Sequence, residues 1–185
     1  MTRMASEIGS LIPHHMRPAG WVNHLFQRTR PVRADMDALW SWLNTPETFT
    51  RQLWPYRVEF VEKSGVDGTS GFSLGVLNIH TGPFLHAAGV ITRLDDLTDG
   101  DTLVRDLHYT YGSYMIALRL VRPALLRFTA RCDDESLVEL TVRVESFTRP
   151  WFVGTWTRTQ SVFWSTFFGS ARRGAAKHAR RHVAS

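Results

Sequence analysis

Residues 150–181 read PWFVGTWTRTQSVFWSTFFGSARRGAAKHARR, and this stretch decides the fold. Pro150 opens it, at a position where a helix has no use for the missing N–H. Phe152, Trp156, Phe163, Phe167, Ala171 and Ala175 then recur at spacings of four, seven, four, four and four, one stripe of a long amphipathic helix. Such a stripe needs a large apolar surface to lie against. Gly169 and Gly174 each weaken the helix by roughly 1 kcal/mol relative to Ala. The turns after Gly174 are expected to bury little and to fray.

The surface lies just upstream. Leu137 to Phe147 alternates strictly: Val138, Leu140, Val142 and Val144 share one face, while Glu139, Thr141, Arg143 and Glu145 share the other. That is a strand with a core face and a water face. Further back the same chemistry repeats. Tyr56, Val58 and Phe60 alternate with polar residues. Phe72–His80, Leu85–Leu94, Thr102–Tyr111 and Leu125–Cys132 read as strands separated by turns at Gly65–Gly68, Thr81–Pro83, Asp95–Asp101 and Asp133–Glu135. Residues 112–123 stay open between strand and helical turn, with Pro123 as a breaker.

At the front, Trp21–Arg30 reads as a strand ended by Pro31. Asp35–Leu43 is a short helix with Asp35 as candidate cap and Met36, Leu39, Trp40 and Leu43 as its apolar stripe. Thr45–Pro46–Glu47 opens a second, as N-cap, first-turn proline and first-turn acid. The expected class is α+β: a curved antiparallel sheet of about seven strands around one long C-terminal helix, with two short helices after the first strand. Residues 1–20 are expected to be a flexible arm and 21–185 one domain.

Composition fits a chain with a real core: 43% hydrophobic and 21% charged residues in 185, with 7 Trp and 11 Phe. Cys132 stands alone, so neither an intramolecular disulfide nor a cysteine metal motif exists. No apolar run is long enough for a membrane helix, and Pro13, His14 and His15 interrupt any signal-like segment, so a cytoplasmic protein is expected. Charge is uneven. Residues 146–185 carry +7 against a total of +5, which leaves the rest at −2. Arg172, Arg173, Lys177, Arg180 and Arg181 either meet an anionic membrane surface or form a solvated helix end.

With "RPVRADMDALWSWLNTPETFTRQLWP" at one end, a meander of hairpins, and "FWSTFFGSARRGAAKHARR" at the other, the chain resembles the START/polyketide-cyclase superfamily over about residues 20–180. The resemblance implies the helix-grip fold and a cavity between helix and sheet. It implies lipids, sterols, polyketides or hormones as ligands, and in some members cyclisation or dehydration of polyketides. It carries no catalytic residue across, since the superfamily has no shared catalytic motif.

Residues of the expected concave face are the candidates for a site. In Leu103–Tyr111 the odd positions are the more apolar set, which points Leu107, Tyr109 and Tyr111 inward and takes Arg105 with them. Arg105 then holds a carboxylate or enolate, or sits at the sheet rim against an acid. Trp156 and Phe163 complete the lining from the helix. His80 and His86 flank the Thr81–Pro83 turn, as a general base at the pocket mouth or as exposed loop residues. No third ligand stands at a metal spacing, and the Asp95–Asp101 turn fails the calcium-loop pattern at Leu97. No dinucleotide or phosphate-cradling motif appears, so no cofactor is expected. Nucleic acid is disfavoured because the basic residues are not interleaved with exposed aromatics. Three readings remain: a carrier or sensor for a hydrophobic or amphipathic molecule (lipid or polyketide-like), a cyclase or dehydratase using His80 or Tyr109 with Arg105, and a peripheral module acting through its basic helix end.

Overall fold

The computed structural model describes residues 17–61, 72–114, 119–134 and 137–182, with the side chains of 110–114, 133–134 and 176–182 outside the description. Seven strands, β1 (Val22–Val32), β2 (Arg57–Val61), β3 (Leu77–Gly82), β4 (Leu85–Asp99), β5 (Thr102–Tyr114), β6 (Val121–Asp134) and β7 (Leu137–Thr148), form one antiparallel sheet in the order β1-β7-β6-β5-β4-β3-β2. Helices α1 (Met36–Asn44) and α2 (Pro46–Arg51) follow β1, and a single 3-10 turn at Pro150–Phe152 leads into α3 (Val153–His182). The sheet curls around α3 in the expected α+β helix-grip arrangement. No described helix is long and apolar enough to cross a membrane.

Strand ends differ from the sequence pattern for local reasons. β4 runs through the acidic stretch to Asp99, so Asp95 and Asp96 are ladder residues opposite Asp106 and Arg105. The turn is only Gly100–Asp101, with Gly100 at φ +54°, where glycine carries no steric cost. Pro123 does not break β6. A register shift between Pro123 and Leu125 absorbs it, as a bulge accommodates a residue without an N–H. β3 starts at Leu77, while Phe72 packs edge-on to Phe49 and Phe60. The expected turn at 65–68 lies outside the described residues.

All six members of the stripe, Phe152 in the 3-10 turn and five in α3, are buried, and Phe167 is enclosed by Trp42, Phe49, Phe128 and Trp164. Burial of this kind stabilises by roughly 1.5–3 kcal/mol per large apolar side chain. The stripe continues past Gly174, because Ala175 has no exposed surface. Gly174 has its own purpose: a Cβ there would collide with the Trp42 indole. α1 thus packs on α3 through a glycine that the helix would otherwise reject. In α1 the Asp35 carboxylate accepts from the Ala38 N–H at 2.7 Å, as its cap position requires. The buried tryptophan is Trp42, and Trp40 is only partly covered. Thr45 occupies the N-cap position of α2 but donates its hydroxyl to the Ser41 carbonyl instead.

The outer face of the sheet is less wet than alternation implies. Arg143 and Glu145, expected in water, are buried and joined at 2.6 Å. The reason is a second apolar cluster on that side, Trp21, Ala124, Leu125 and Phe147. Charges taken out of water in this way are tolerated only as pairs.

Candidate functional site

A cavity of about 60 Å³ lies between α3 and the middle of the sheet. α3 contributes Trp156, Gln160, Phe163 and Trp164 at helical spacing. The sheet contributes His80 of β3, Ala87 and Gly89 of β4, Tyr109 of β5, Leu126 of β6 and Val144 of β7. The volume is far below the roughly 300–1,000 Å³ of pockets that hold drug-sized ligands. Every lining residue named by the structure is uncharged or titrates as neutral.

Two sheet residues give the cavity its polarity. Tyr109 lies flat across β4 because Gly89 has no side chain: a Cβ at Gly89 would stand 2.7 Å from the Tyr109 ring. The phenol thereby reaches β3, where the Asn78 amide donates to its oxygen at 3.3 Å. Asn78 is buried, and its other polar atom, Oδ1, has no hydrogen-bond partner among the described residues. Turning the amide over would let Oδ1 accept from the phenol but would orphan the NH₂ instead. One unspent hydrogen-bonding function therefore remains either way, and an unmet buried polar atom costs about 1–3 kcal/mol. Burial raises the Tyr109 pKa well above the ordinary phenol range, against the opposing pull of the Asn78 bond. It lowers the His80 pKa to about 4, so the imidazole against Phe163 is neutral near pH 7. At the α3 end of the cavity, the Trp164 indole donates to Gln160 Oε1 at 2.7 Å, which leaves the amide nitrogen as the group Gln160 can offer.

The sequence-derived candidates divide by position. His80, Tyr109, Trp156 and Phe163 line the cavity. Leu107 is fully buried beside it, in the core. Arg105 is on the same face of β5 but farther along, beside α1. Its guanidinium grips Asp96 at 2.7 and 2.5 Å, donates to Asn44 Oδ1, and stacks over Trp40 with 5.5 Å to the ring centre. It is spent there and is not among the lining residues. Tyr111 pairs with Val90 across a register shift that follows Tyr109, and its side chain lies outside the described residues. His86 is exposed, and His108 stands 3.5 Å from Asp95. No group of three metal-ligating side chains occurs among the described residues.

Asn78, Gly89, Gln160 and Trp164 were missed as site residues. Asn78 shares its strand face with His80 two residues on, and Gln160 and Trp164 continue the helical spacing from Trp156. Both signals were present. Gly89 carries no such periodic signal, and only the Tyr109 ring explains it.

No protein-family model matches the sequence, and no curated protein matches it. Solved structures do. Norcoclaurine synthase from Thalictrum flavum, in complex with dopamine and hydroxybenzaldehyde, aligns over 86% of this chain and 90% of its own at 14% identity and a TM-score of 0.56. Zhui aromatase/cyclase from Streptomyces sp. R1128 aligns over 86% and 96% at 13% identity and a TM-score of 0.55. Ara h 8.0201 aligns over 84% and 99% at 15% identity and a TM-score of 0.51. At these identities the likeness is one of fold.

Proposed function

Given a chain that has the helix-grip fold of the START/polyketide-cyclase superfamily, we propose that it binds a compact, neutral, largely apolar molecule with one hydrogen-bonding oxygen, as a carrier or sensor. The observation that carries this reading is the Tyr109 phenol, which lines a mostly apolar cavity and is held from behind by the buried Asn78 amide, itself left with one bonding function unspent. Neutrality follows from the lining. An anion would lose its hydration and find no cation in return, because Arg105 is tied to Asp96. Compactness follows from the volume, which argues against a long acyl chain.

A cyclase or dehydratase with His80 or Tyr109 as acid or base is the weaker reading. General acid–base groups work best with a pKa near the operating pH. Burial moves both residues the other way, His80 down and Tyr109 up. Among the solved likenesses, norcoclaurine synthase and Zhui aromatase/cyclase carry enzyme names, and those names support the enzyme reading.

p-Cresol tests the proposal, followed by tryptophan fluorescence from Trp156 and Trp164. One-to-one binding is expected, lost in Ala87→Leu, which fills the cavity, and weakened about tenfold in Asn78→Leu/Tyr109→Phe, which removes the anchor. Equal binding by the filled variant would overturn the proposal.

A further inference from the structure

A second concavity lies on the other side of α3, against β1. It is a groove of about 570 Å³, and its lining has the opposite chemistry to the cavity. Arg28 and Arg30 come from β1, Arg33 from the residues just after it, and Arg172 from α3. No acidic residue is in the lining, and none of these four arginines makes a salt bridge among the described residues. On the helix side, Ser165, Phe168, Gly169 and Arg172 share one face at spacings of three, one and three. Arg28 is held rigidly: its guanidinium donates to the Ser161 carbonyl at 3.0 Å, to the Ser161 hydroxyl at 2.7 Å and to the Ser165 hydroxyl. Arg173 adds a fifth cation at the edge, since its Nη1 would be 3.6 Å from a Cβ on Gly169.

Four guanidiniums around one groove repel one another, and the described residues hold no acid there to offset this. Such an arrangement is stabilised when a multiply charged anion enters. A carboxylate is satisfied by one arginine fork, whereas several forks suit a phosphate with two negative charges. Phe168, Leu137 and Pro31 give the groove an apolar wall for an organic portion. We propose that this groove is a binding site for a phosphate monoester, whether free in solution or displayed as a phospholipid headgroup. The site is separate from the cavity, because α3 turns different residues to each.

The test uses two probes on the full chain: glycerol phosphate in solution, and phosphatidylcholine vesicles with or without phosphatidic acid. Saturable binding of either probe supports the site, and which one binds identifies the source. Arg30→Gln/Arg172→Gln should weaken it by up to about a hundredfold, since each lost charge-assisted contact is worth about tenfold. The single Arg172→Gln, at an exposed position, serves as a milder version should the double variant fold poorly. Neutralising the tail, Lys177→Gln/Arg180→Gln/Arg181→Gln, should leave glycerol phosphate binding unchanged. The outcomes that overturn the proposal are three: neither probe binds, the groove variants bind as before while the tail variant does not, or acetate binds as tightly as glycerol phosphate. Unchanged p-cresol binding in the groove variants would show that the two sites stand or fall separately.

Discussion

The two concavities share a wall and differ in almost everything else. Trp156, Gln160, Phe163 and Trp164 turn inward to a small neutral cavity, while Ser165, Phe168, Gly169 and Arg172 turn toward β1 and a groove lined by arginines. One helix separates apolar from cationic chemistry by phase alone, since a change of one or two positions rotates a side chain from one side to the other. Residue composition along a helix says little about a site until the phase is fixed by packing. In α3 the phase is fixed by Phe167 against Trp42, Phe49 and Phe128.

Substitutions on the two sides should therefore separate cleanly. The largest effect is expected from Phe163→Ala, which opens a hole between helix and sheet and should cost about 3–5 kcal/mol in denaturant unfolding. A loss comparable to a surface change would break the comparison at its root. Acid comes next. His24 and His80 both have pKa values lowered to about 4 by burial, from 6.5. Between those values the unfolded chain binds more protons than the folded one, so stability should fall as pH drops from about 6.5 to about 4 and level off below. His80→Gln should flatten that decline in part, and a pH-independent unfolding midpoint across the window would contradict the desolvated, neutral imidazoles.

The glycines of α3 sharpen the contrast at smaller scale. Gly174→Ala places a methyl group into the Trp42 indole and should cost about 1–3 kcal/mol, despite the better helix propensity of Ala. Gly169→Ala meets only ordinary contact with Arg173 and should stabilise by about 0.4–1 kcal/mol. Matching signs for the two would show that the α1–α3 contact is looser than described. Smallest of all, Arg172→Ala should change stability by less than about 0.5 kcal/mol, as expected of an exposed side chain.

The fold was readable because its signals are periodic. The alternation of Leu137–Phe147 and the aromatic stripe of α3 each specify one buried face, and burial then fixes which way the sheet curls. The site was readable only in part. His80, Tyr109, Trp156 and Phe163 follow from facing rules, but Arg105 shows where those rules stop. Strand parity places it on the inner face. Whether it reaches the cavity depends on Asp96, its cross-strand partner 9 residues back, and on Asn44, 61 residues back and near it only in three dimensions. Of the two alternatives that the sequence leaves open for Arg105, a ligand's carboxylate or an acid beside it, the structure has the acid, and strand parity alone does not choose between them. The outer-face pair Arg143–Glu145 fails for a similar reason: its cover, Trp21 and Phe147, comes from two distant parts of the chain. The arginine groove was hidden because Arg28, Arg30 and Arg33 belong to one end of the sequence and Arg172 to the other.

On the proposed function, the cavity selects a neutral ligand through Tyr109, held by Asn78, with no help from Arg105. The most direct measurement is competition for bound p-cresol at neutral pH between unlabelled p-cresol and p-toluate, a carboxylate of similar shape. Displacement of the bound probe reports the cavity alone, whatever the anion does at the groove. p-Toluate should displace the probe at least about tenfold less well, because a carboxylate in this lining loses its water and gains no counter-ion. Equal or stronger displacement by p-toluate, abolished by Arg105→Ala, would contradict it.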